Sequence, residues 1–147
     1  LGKRICGERE IVLPIDSALD DEKTDFKAYA ESLYDKKHLV FKEGMEPTWF
    51  MITPLIVDQK RLIDGMERDS YEFREAVVRC GLVSVRNYQV FNESGEAVEF
   101  EQPNRKIRPS WGVASSAEWM SKGQLHSDDI QILAVMILTI SEARPLS

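Results

Sequence analysis

Apolar residues return along this chain with two different rhythms, and each predicts a set of elements. From Thr24 onward Phe26, Tyr29, Ala30 and Leu33 recur at i, i+3, i+4 and i+7, the stripe of an amphipathic helix that Thr24 or Asp21 would cap. Val57, Leu62, Ile63 and Met66 predict a shorter helix broken near Gly65. A third helix begins behind Ser70 as N-cap and turns Tyr71, Phe73, Ala76, Val77 and Cys80 inward. Gly81 stands where a left-handed residue past the helix end is wanted. The last helix runs from Ile130 to Ala143. Ser127 is its expected N-cap, Asp128 and Asp129 suit the positive end of its dipole, and Arg144-Pro145 stops it. Apolar residues cover most of its circumference, which predicts a buried position.

The alternating rhythm predicts strands. Glu10 to Ile15 is rich in β formers, but Pro14 cannot donate to a ladder, so that strand is expected to be short or at a sheet edge. His38 to Phe41 and Thr48 to Thr53 read as two short strands joined by a turn over Lys42 to Pro47. Leu82 to Phe91 and Glu96 to Glu101 flank Asn92-Glu93-Ser94-Gly95, a β-hairpin over about 82–101 whose glycine supplies the positive φ. Gln102 to Val113, with its prolines, reads as a surface loop, and Ser115 or Ser116 caps a short helix through Trp119 and Met120 to Gly123. The expectation is an α+β fold, a small antiparallel sheet with the hairpin packed by several helices, including a buried C-terminal one. A mostly helical fold carrying one hairpin is the alternative. Residues 1–147 read as a single domain with a basic amino-terminal arm over residues 1–9.

Composition narrows the function classes. With 147 residues the chain has the size of one domain, and 43% hydrophobic with 30% charged residues is the balance of a globular protein. A net charge of −6 works against sequence-independent attraction to nucleic acid. The longest apolar stretch, Ile130 to Ile140, is interrupted by Gln131 and Thr139 and falls short of the roughly 20 residues a membrane span needs. Cys6 and Cys80 lie far apart without a Cys-x-x-Cys pair or a nearby histidine, so two reduced thiols are expected rather than a disulfide framework or a zinc site.

Candidate chemistry is sparse. His126-Ser127-Asp128 are consecutive and cannot all converge on one reacting atom, and helix capping accounts for them. His38 has no partner in the local sequence, Asp20-Asp21-Glu22 reads as a solvated helix entry, and no phosphate-cradling glycine loop occurs. No catalytic residue, cofactor, metal or small-molecule substrate is expected. The residues with the chemistry of partner contacts are Lys3 and Arg4 in the arm, Trp49, and the basic and aromatic loop of Arg105, Lys106, Arg108 and Trp111.

Two stretches carry a family resemblance. Phe41-Lys42-Glu43-Gly44 runs into Glu46-Pro47-Thr48-Trp49-Phe50 and Ile52-Thr53-Pro54-Leu55. Gly81-Leu82-Val83 is followed by Arg86-Asn87-Tyr88, Ser94-Gly95, Val98-Glu99-Phe100 and the closing Ile140-Ser141-Glu142-Ala143. In this order, over about residues 38–143, the chain resembles small structural or assembly proteins of tailed bacteriophages, including tail-assembly-chaperone-like proteins. It departs from them in the longer, more basic stretch from Pro103 to Pro109. The resemblance implies a non-enzymatic role through self-association or contacts with other phage structural proteins, in the virion or the host cytoplasm. The rival expectation is a small bacterial ligand-binding or enzymatic domain whose pocket the sequence conceals.

Overall fold

The computed structural model describes residues 7–91, 94–99 and 125–142. The expected loop over Gln102 to Val113, the helix from Ser115 to Gly123, Cys6, and the candidate contacts Lys3, Arg4, Arg105, Lys106, Arg108 and Trp111 lie outside these residues.

Three short strands form an antiparallel sheet in the order β1 (Arg9–Ile11), β2 (Trp49–Ile52), β3 (Leu82–Arg86). Strand β2 is central, and its alternation sorts the two faces: Phe50 and Ile52 are buried, while Trp49 and Met51 are half-exposed. Ile11 and Val85 are the registered neighbours of Phe50, so one buried row crosses the whole sheet. Strand β1 is short and at an edge, and Pro14 falls beyond its end.

Around the sheet the described residues place helices α1 (Phe26–Glu31), α2 (Val57–Asp64), α3 (Tyr71–Gly81) and α4 (Ser127–Ser141). The architecture is α+β. Ile130, Leu133, Ala134, Met136, Ile137 and Ile140 of α4 join Phe73, Val77, Val78 and Cys80 of α3 in the same buried cluster as the sheet residues. At the close approach of the two helices a Cβ on Gly81 would stand 2.9 Å from Ile137 Cδ1 and 3.0 Å from Cγ1. Gly81 is therefore needed for packing. It ends α3 without the left-handed φ expected of it, since the positive-φ glycines among the described residues are Gly44 and Gly95.

Hydroxyl groups complete the backbone where ladders stop. Just past β1, Tyr29 Oη accepts from the Val12 N–H and donates to the Val12 carbonyl, both at 3.1 Å. Thr24 Oγ1 treats Val40 the same way, again at 3.1 Å in both directions. Thr24 is thus a bridge, and the N-cap of α1 is Asp25, which accepts from the Ala28 N–H at 3.0 Å. Helix α1 ends before Leu33, because Leu33 and Tyr34 take φ values of 56° and 66° and swing the Tyr34 ring against Tyr29, centroids 5.3 Å apart.

Other expectations shift in detail. His38 to Phe41 is not a strand: Lys36–His38 forms a 3-10 turn and Phe41 makes a lone bridge with Leu19. The run from Leu82 to Phe91 is broken at Asn87, whose φ is 58° and whose Nδ2 donates to the Pro47 and Glu46 carbonyls. As a result β3 belongs to the main sheet, and the hairpin is β4 (Gln89–Phe91) with β5 (Ala97–Glu99), a separate two-stranded sheet with Gly95 at φ 78° in its loop. The N-cap position of α4 is His126, with Ser127 as the first helical residue.

Candidate functional site

Four segments converge on a cleft of about 220 Å³ lined by Leu13, Ile15, Asp16, Ser17, Thr48, Phe50, Tyr88 and Asp129. Asp16 builds one wall. Its Oδ1 accepts the Ala18 N–H at 2.9 Å, a local turn, and its Oδ2 accepts the Thr48 N–H at 2.9 Å, which docks the turn on the approach to β2. Thr48 Oγ1 donates to the Asn87 carbonyl at 2.8 Å, so the same residue holds the break that ends β3. Beyond that break Tyr88 sets its ring edge-on to Phe50 at 6.0 Å between centroids. Its phenol donates to Asp129 Oδ2 at 3.0 Å and accepts the His126 N–H at 3.4 Å.

Asp129 stands in the first turn of α4, where the free N–H groups favour an anion. Burial opposes this and pushes its carboxyl above the usual aspartate range. The Tyr88 hydrogen bond and His126 pull it down, and the negative charges of Asp128 and Asp16 push it up. Burial and the Asp129 charge push the Tyr88 phenol up to about 12, so it stays a neutral donor. Among the described residues neither Asp16 nor Asp129 has a basic side chain as ion-pair partner, and Asp129 Oδ1 accepts no hydrogen bond.

A second feature lies on the exposed face of the sheet. Arg86 forks onto Glu10 at 2.7 and 3.3 Å and places its Cζ 5.2 Å from the Trp49 ring centroid. Lys36 Nζ stands 5.7 Å from the same centroid and Phe41 meets the ring edge-on at 5.8 Å. The hydrogen bond from Arg86 holds the Glu10 carboxyl below its usual range. Of the sequence-derived contact candidates only Trp49 falls among the described residues, and it is half-buried by these neighbours.

The remaining candidates have structural duties. His38 closes the 3-10 turn and its carbonyl accepts the Asp25 N–H. Asp20 Oδ1 accepts from the N–H groups of Glu22 and Lys23, and Cys80 is buried without a disulfide. No group of three or more metal-ligating side chains gathers among the described residues, and no helix among them is long and apolar enough to cross a membrane. No known protein family matches the chain, and neither a curated protein nor a solved structure shows significant similarity to it.

The cleft was not visible in sequence. By local pattern Tyr88 belongs to a strand and Asp129 is a helix-dipole residue. The contacts that bring them together span 41 positions, and Asp16 meets Thr48 across 32.

Proposed function

We propose that this protein acts by contact with other proteins rather than by turnover, as a structural or assembly component of a tailed bacteriophage. The observation that carries the mode of action is the make-up of the cleft. Pockets for small molecules and cofactors usually enclose about 300–1,000 Å³. This one, at about 220 Å³, is below that range. Three hydrogen bonds among its polar groups join chain segments: Asp16 to Thr48, Thr48 to Asn87, Tyr88 to Asp129. Ile15, on its lining, is 59% exposed, an apolar side chain offered to a neighbour. The phage setting is supported by the resemblance over residues 38–143.

A small ligand-binding or enzymatic domain is the second reading, and it draws on Tyr88 and Asp129 converging beside His126. Deletion of the gene in its phage separates the two. The contact reading expects headless or tailless intermediates by electron microscopy, and proteomics of purified particles then tells virion component from chaperone. Normal infectious particles from the deletion strain contradict it.

A further inference from the structure

The cleft joins two kinds of surface. Leu13, Ile15 and Phe50 are apolar, whereas Asp16 and Asp129 are carboxylates that form no ion pair among the described residues, His126 acting on Asp129 only from a distance. Lysine and arginine side chains have the matching composition, an aliphatic stem that buries along apolar surface and a cationic head that seeks acceptors. A water takes up roughly 30 Å³ in the liquid. A cleft of about 220 Å³ therefore exceeds a bridging water and has room for one long side chain.

We infer that the cleft receives a single arginine or lysine side chain from the surface of a partner protein, its stem against Ile15, Leu13 and Phe50 and its head at Asp129 and Asp16. Charge favours this occupant at both scales, since the whole chain carries −6 and a basic partner segment is drawn to it. Among the described residues Asp129 Oδ1 accepts no hydrogen bond, while the Tyr88 phenol fixes Oδ2 and holds the carboxylate in place. Burial, with Asp128 and Asp16, raises the Asp129 carboxyl, and an incoming cation would lower it again. A divalent metal is a poorer occupant: calcium takes six to eight oxygens, and both Asp16 oxygens already accept backbone N–H groups.

The inference rests on the contact reading, yet its test uses the purified protein alone, so its failure leaves the outcome of the gene deletion untouched. Isotope-labelled protein is titrated, with backbone amide shifts as readout, with N-acetyl-arginine amide, its neutral isostere N-acetyl-citrulline amide, and calcium chloride. Expected are saturable shifts at Ser17, Thr48, Tyr88 and Asp129 with a millimolar dissociation constant for the arginine derivative, and at least about tenfold weaker binding of the citrulline derivative. Asp129→Asn keeps an acceptor for Tyr88 and is expected to weaken arginine binding by about tenfold. Ile15→Ser, at an exposed position, weakens it through the stem. Equal binding of the citrulline derivative, no saturable shifts at those residues, or calcium occupying them at lower concentration than arginine overturns the inference.

Discussion

Tyr88 reaches across the cleft to Asp129, 3.0 Å from phenol to carboxylate, and so ties the corner ahead of the hairpin to the first turn of the last helix. The same oxygen takes the His126 N–H. One side chain thereby satisfies a helix-entry donor and orients the carboxylate on which the cleft's charge depends.

Tyr88→Phe tests that link. The ring keeps its contact with Phe50 while the phenol's bonds to Asp129 and the His126 N–H disappear. The half-buried site loses about 1 kcal/mol of unfolding free energy. Chemical denaturation measures it, and the Asp129 carboxyl titrates still higher in the variant because its donor has gone.

Asp129→Asn tests the electrostatics. The folded protein holds this carboxyl above its unfolded value, so ionisation costs stability and unfolding becomes easier as pH rises from about 3.9 through the folded value. The amide variant lacks that cost. It is expected to be more stable than wild type near neutral pH, with the difference shrinking on acidification and vanishing below the ordinary aspartate range. The gain is a fraction of a kcal/mol, since the carboxyl keeps solvent contact. Thermal unfolding across pH reads both the sign and the window.

Gly81→Ala tests the helix pair. The new methyl would collide with Ile137, and relief requires α3 and α4 to move apart, at a cost of about 1–3 kcal/mol. Gly65→Ala is the control. At Gly65 the nearest atom to an added Cβ is the Leu62 carbonyl oxygen at an ordinary 3.9 Å, and φ is −80°, so that variant is expected to be neutral or more stable by about 0.5 kcal/mol.

Ser141→Ala tests how the start of α2 is tied to the end of α4. Ser141 Oγ accepts the buried Leu55 N–H at 2.8 Å and donates to the Ile137 carbonyl at 2.6 Å, while Lys60 Nζ bonds the Ser141 carbonyl at 2.9 Å. Removing the hydroxyl orphans the Leu55 donor and costs about 1–3 kcal/mol, measured by denaturation.

These sites show what the sequence carried and what it did not. Ser70 as N-cap of α3, a short first strand at the sheet edge, the positive φ of Gly95 and the apolar last helix follow from local preferences, and each appears in the structure. The strand break at Asn87 did not show, because β formers flank Asn87 on both sides and the turn is held by carbonyls of Glu46 and Pro47 far upstream. Gly81 read as a cap because its closeness to Ile137 is a tertiary fact. The cleft was hidden for the same reason. Nothing near Asp129 in sequence announces Tyr88 or Asp16, and a carboxylate among 25 acquires meaning only from what folds against it.

As proposed, the protein works through contacts made at the cleft during assembly of a tailed bacteriophage, and complementation in that phage tests the proposal most directly. The deletion strain is supplied with wild type, Asp129→Asn or the double variant Ile15→Ser, Asp129→Asn, each first shown by thermal unfolding to be folded, and assembled infectious particles are counted. Wild type is expected to restore assembly and the double variant to leave the same intermediates as the deletion, with Asp129→Asn between them. Full restoration by the folded double variant would contradict the account.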